Sequence, residues 1–253
     1  MKPLIVANWK CKPATSKEAV ELFNKISEGV EDARNVEVVI CPPFIYLPEI
    51  NNKYHISLGA QNCFLDKKDV SSQVISPQAA KEAGCEYIII GHSSRRIFLG
   101  ETDEIVNRGL KDALFAGLLP IFCTGETNKE REMGRTEDVL ERQIRKGLDG
   151  ISASEVSKIV ITYEPVWAIS EGDPYKTKEI PTPENIKKAK VFIENILKKI
   201  YGSGGGTIRI IYGGSANADN SKWILEDAGM DGLLVGGASL DPQEFLKIVK
   251  NCR

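Results

Sequence analysis

Apolar residues in this chain fall in short continuous runs: Leu4–Ala7, Val36–Cys41, Ile56–Ala60, Tyr87–Gly91, Leu118–Cys123, Ile159–Tyr163, Ile208–Tyr212 and Gly232–Val235. A strand with one wet face would alternate apolar and polar positions. Continuous runs of this length instead predict parallel strands buried on both faces. Successive runs start about 33 residues apart, which leaves room for one return helix per strand.

Helix signals fill the gaps. Thr15 and Glu18 form a capping-box pattern ahead of Lys17–Gly29. Ser76-Pro77, Thr182-Pro183 and Asp241-Pro242 each set a capping side chain before a proline suited to the first helical turn. Gly84 and Gly117 stand where helices should stop. Strand–helix alternation eight times over predicts an α/β fold, a single (β/α)8 barrel domain spanning residues 1–253 with eight parallel strands. An open doubly wound sheet is the alternative that the pattern leaves standing.

In either architecture, ligands meet the chain at the carboxyl ends of the strands. The residues that follow the runs are polar or glycine: Asn8-Trp9-Lys10, Gln61-Asn62, His92-Ser93-Ser94, Thr124-Gly125-Glu126, Glu164-Pro165, Gly213-Gly214-Ser215 and Gly236-Gly237. Composition narrows what such a rim would bind. A balance of 33 basic and 35 acidic residues gives a net charge of −2, without the basic excess that nucleic acid or anionic membranes call for. No apolar run approaches the roughly 18 residues of a membrane span, and the N-terminal run breaks too early, at Asn8, for a secretory signal. The six cysteines contain no Cys-x-x-Cys pair and the two histidines no zinc spacing, so the expectation is a reduced, cytoplasmic protein without a metal.

Glu164, directly after its strand, projects a carboxylate over the mouth, where partial desolvation suits a base. Lys10 and His92 arrive from other strand ends. A base, a cation and an imidazole together are what proton transfer beside a carbonyl needs, with no redox cofactor and no nucleophile. Two glycine pairs, Gly213-Gly214 and Gly236-Gly237, end the last two runs, where backbone N–H groups can approach a phosphate closely.

These residues sit in motifs that run the length of the chain. They are Ala7-Asn8-Trp9-Lys10, Gly59-Ala60-Gln61-Asn62, Gly91-His92-Ser93, Cys123-Thr124-Gly125-Glu126, Tyr163-Glu164-Pro165-Val166-Trp167-Ala168-Ile169, Tyr212-Gly213-Gly214-Ser215 and Asp231–Ser239. In this order they resemble the triosephosphate isomerase family. The resemblance implies interconversion of dihydroxyacetone phosphate and D-glyceraldehyde 3-phosphate through an enediolate, without a cofactor. It gives Glu164 the proton transfer, His92 the polarisation of the carbonyl as a neutral imidazole, and Lys10 the charged substrate, with Asn8 orienting Lys10. Phosphate would rest on Ser170, Ser215, Gly236 and Gly237, and a lid over Pro165–Gly172 would shut out water; the neutral imidazole and the lid are known properties of that family.

Three departures stand out. Where the family has Gly-His-Ser-Glu-Arg-Arg, this chain has Ser94, so the lysine lacks an anionic neighbour; reduced activity is expected, restored by Ser94→Glu. The segment from Ser170 to Ile180 is longer than the family's lid and carries Glu171 and Asp173, acidic groups unfavourable near a phosphate. In Asp69–Val74, a segment that in the family reaches into a partner subunit, Ser72 stands for a threonine and Val74 for the glutamate expected to pair with Arg95. A homodimer with an atypical interface loop is therefore expected. The altered lid also raises a longer ketose phosphate such as a tetrulose phosphate as an alternative substrate. A phosphometabolite-binding barrel without catalysis is the alternative from outside enzymology.

Overall fold

All eight runs form strands: β1 (Leu4–Asn8), β2 (Glu37–Cys41), β3 (Ser57–Ala60), β4 (Cys85–Ile90), β5 (Leu119–Thr124), β6 (Val160–Tyr163), β7 (Ile210–Tyr212) and β8 (Gly232–Val235). The computed structural model describes residues 1–50, 56–63, 75–169, 180–202 and 208–253. The strands pair in chain order, all parallel, and β8 returns to β1 from Leu4↔Gly232 to Ala7↔Val235. That last pairing closes the barrel and excludes the open sheet. Strand ends differ from the apolar runs by a residue or two, because a strand stops where its neighbour's hydrogen bonds stop. Thus β1 and β5 extend into polar Asn8 and Thr124.

Within each strand the expected alternation exists but joins two apolar environments. Leu4 and Val6 of β1 cluster with Val39, Tyr87, Ile89, Ile121 and Val160 inside the barrel. Ile5 and Ala7 belong to the outer cluster, with Ile40, Ile88, Phe122 and Ile161, against the helices. Both sets are buried, so the sequence reads as continuous. Each large side chain in these layers contributes about 1.5–3 kcal/mol by leaving water.

The capping signals act as read. Thr15 forms its capping box ahead of the helix Ser16–Gly29, and Ser76, Thr182 and Asp241 each accept a backbone N–H at the start of a helix that opens with proline. One connection departs from the pattern. Between β2 and β3 the described residues form a 3-10 helix, Phe44–Glu49, where prolines at 43 and 48 withhold N–H groups that an α-helix would use.

At the amino ends of the strands a polar cluster closes the barrel floor. Glu37 accepts a hydrogen bond from the Tyr87 hydroxyl and pairs with Arg209 at 2.5 Å. Burial, and then the Glu37 carboxylate, push the Tyr87 phenol up.

Candidate active site

Glu164 is held before it is aimed. Its N–H donates to Thr124 O at 2.7 Å, and the preceding Tyr163 O accepts from Gly213 N at 2.8 Å, so the residue is tied to the strands on both sides. Two glycines make this approach possible. A Cβ on Gly125 would fall 2.0 Å from Glu164 O, and one on Gly213 would fall 2.6 Å from Thr162 Cγ2. The side chain is 3% exposed, a buried carboxylate at the end of a rigid strand.

His92 comes from β4. Gly91, at φ +72°, turns the chain from strand to the helix Ser93–Leu99, a conformation costly for a residue with a side chain. His92 caps that helix, with Nδ1 accepting Ser94 N–H at 3.2 Å. A backbone N–H can only donate, so Nδ1 carries the lone pair and Nε2 carries the proton. Nε2 lies 2.9 Å from Glu164 Oε1, while Ser93 N–H donates to Oε2 at 3.0 Å. Carboxylate and imidazole thus meet directly. The Ser94 hydroxyl lies 2.8 Å from Nδ1, a contact that comes in addition to the loss of an anionic neighbour for the lysine. Exchanging it for a carboxylate would remove this contact as well as supply a charge.

Lys10 follows β1 in the left-handed region, at φ +53°, uncommon for any residue but glycine. Asn8 Oδ1 accepts Lys10 N–H at 3.1 Å, in keeping with the orienting role expected of it. Gln61 also braces the turn, donating to Lys10 O at 2.7 Å and to Cys41 O at 2.9 Å. The side chain crosses toward the last strand: a Cβ on Gly236 would meet Lys10 Cε at 3.8 Å and Nζ at 4.0 Å. Among the described residues no carboxylate pairs with this ammonium.

Asn8, Lys10, His92, Glu164, Ser215, Gly236 and Gly237 line one cavity of about 160 Å³, with Leu234 on its wall. Ser170 lies outside the described residues, as do Glu171, Asp173 and Asp69–Val74. Ser215 is present but engaged, its N–H donating to Ala168 O at 3.1 Å. A second cavity of about 620 Å³ adjoins it, sharing Asn8, Lys10 and His92 and lined also by Ser94, Phe44, Phe98 and Leu99. Arg95, whose expected partner position holds Val74, pairs instead with Glu101 at 2.6 Å.

The chain leaving Glu164 is fastened from below. Trp167 Nε1 donates to Glu126 Oε1 at 2.8 Å, the Tyr163 hydroxyl to the same oxygen at 3.2 Å, and the Arg131 guanidinium stacks 3.8 Å over the Trp167 ring. Burial raises the Glu126 carboxyl above the usual carboxylate range, against the lowering pull of those donors. Sequence reasoning quoted Glu126 and Gln61 within motifs but gave them no role. Their one signal was position, just past a strand end.

A family model described as triosephosphate isomerase matches residues 3–252. The triosephosphate isomerase of Endomicrobium trichonymphae is 42% identical, covering 98% of each chain. That of Aquifex aeolicus is 42% identical, over 98% of this chain and 99% of its own. The crystal structure of triosephosphate isomerase from Bartonella henselae superposes with a TM-score of 0.87 at 35% identity, covering 99% of both chains.

Proposed function

The chain belongs to the triosephosphate isomerase family, and from that premise we propose how its residues carry the reaction. The activity is interconversion of dihydroxyacetone phosphate and D-glyceraldehyde 3-phosphate, a proton moved between adjacent carbons through an enediolate. Glu164 leaves its two donors and takes the carbon-bound proton. The C–H electron pair becomes the C=C bond while the carbonyl electrons settle on oxygen. The departing carboxylate uncovers His92 Nε2–H, which donates to that oxygen as a neutral imidazole, as is known for the family. The proton of the adjacent hydroxyl passes to the charged oxygen, and as the electrons left on the second oxygen close the new C=O bond the C=C pair takes the proton back from Glu164 at the neighbouring carbon.

Lys10 supplies positive charge to the substrate, and Asn8 keeps its strained turn in place. The phosphate rests on the N–H groups of Gly236, Gly237 and Ser215, the last after releasing Ala168 O, with Ser170 completing the cradle. The observation that carries this reading is the 2.9 Å contact between base and imidazole, at a cavity that also receives Lys10 and the glycine-lined strand ends. In a coupled assay with D-glyceraldehyde 3-phosphate, Glu164→Gln should lower kcat by roughly 10³-fold, within the range of a positioned base. Turnover undiminished in that variant would overturn the assignment.

The reading extends to one barrel domain over residues 1–253, working as a cytoplasmic homodimer. Six free cysteines suit a reducing compartment. Exposed Ile45, Phe98 and Leu99 offer an apolar face, the latter two on the larger cavity beside Lys10. The Asp69–Val74 loop would cross to the partner there. Sedimentation equilibrium should give a dimer mass; a monomer at every concentration would refute the assembly.

A further inference from the structure

We propose that Ser94 is a positioning residue for the isomerisation: its hydroxyl donates to His92 Nδ1 and holds the ring as the Nε2–H tautomer. The proposal rests on the role given to His92 above. Ser94 presents two groups to one lone pair, a backbone N–H at 3.2 Å and a hydroxyl at 2.8 Å. The N–H admits only one direction of bonding, so Nδ1 accepts, and the hydroxyl can then contribute only by donating as well. The closer of the two donors is the side chain.

Protonating Nδ1 would set an N–H against an N–H and break the cap of the helix Ser93–Leu99. It would also force the hydroxyl to turn its lone pair inward. The first of these disfavours the opposite tautomer, in which Nε2 cannot donate, and the hydroxyl gives the accepting Nδ1 a second donor. The charged groups around the ring are Glu164, in contact with Nε2, and Lys10 and Arg95, which line cavities shared with His92. None of them contacts Nδ1 among the described residues. The family's glutamate at this position would have no proton to donate when ionised, so this second donor is a property of the present chain.

The test compares Ser94→Ala and Ser94→Thr with the parent, each checked for native circular dichroism. With only two histidines, the ¹⁵N resonances of His92 can be assigned by difference against His55→Gln. The parent should show an unprotonated Nδ1 and a protonated Nε2. In Ser94→Ala the Nδ1 resonance should move from its position in the parent. Its kcat should fall about three- to tenfold, the worth of one neutral hydrogen bond, with KM changed less than about twofold. Ser94→Thr, which keeps the hydroxyl, should restore both. A Ser94→Ala variant with unchanged Nδ1 resonance overturns the proposal whatever its kcat, as does a Ser94→Thr variant that restores neither readout. The resonances are read without substrate, so their failure is distinct from a failure of the isomerase reading, which would show as absent turnover in the parent.

Discussion

The two ends of the barrel treat a carboxylate in opposite ways. At the floor, Glu37 has a phenol on one oxygen and the Arg209 guanidinium on the other, so acid, proton donor and cation are all spent on one another. At the mouth, Glu164 is held by His92 and the Ser93 amide, while the nearby cation, Lys10, lies toward Gly236 with no carboxylate paired to it among the described residues. The cavity of about 160 Å³ receives both groups. Closing every polar contact stabilises a fold. Withholding one leaves charge unspent at the mouth, where Lys10 stands at φ +53°.

That contrast breaks first if Lys10 proves to be structural. Lys10→Gly should lower kcat/KM by roughly 10²–10³-fold, the scale of a lost electrostatic stabiliser. It should also stabilise the fold by up to about 1 kcal/mol, since glycine adopts φ +53° without strain. A urea titration showing lost stability would place Lys10 among the structural contacts. Arg209→Ala probes the floor: it should destabilise by about 1.5–3 kcal/mol, the range for a hydrogen bond to a charged group, with kcat within twofold of the parent. A drop in kcat without a drop in stability would erase the distinction between the ends.

The smallest effect sharpens the comparison at Glu126, a buried mouth-side carboxylate that receives Trp167 and Tyr163 on one oxygen. Burial raises its folded-state value above the ordinary 4.5. The folded chain therefore holds this proton more tightly than the unfolded chain does. The associated stability is full below the ordinary value and is lost as pH rises through the raised one. Glu126→Gln, which still offers Trp167 an acceptor, should flatten that decline in denaturant midpoints measured across mildly acidic to neutral pH. An unchanged slope would show that burial is not governing this group.

The barrel was legible because eight apolar runs at even spacing need only a count, even though lumen and shell faces of β1 or β5 cannot be told apart by polarity. The site was legible where chemistry follows a strand end directly, as with Lys10, His92 and Glu164. What escaped depends on side-chain direction after the chain has turned. Ser94 reads as a lost glutamate until the cap on His92 brings its hydroxyl to Nδ1, and Gln61 reads as a loop amide until β2 and Lys10 both present carbonyls to it. Ser215 lines the cavity, but its engagement with Ala168 O is a matter of the chain beyond Glu164, which no strand pattern records.

The pairing of β8 with β1 has a consequence in time as well as in space. A chain emerging from the ribosome makes Lys10 long before Gly236, the glycine its amine lies against. Until β8 is available, β1 and β7 both present bare, apolar edges able to recruit another nascent strand. Completion of the cavity around Lys10 and protection from mispairing therefore arrive in a single late event.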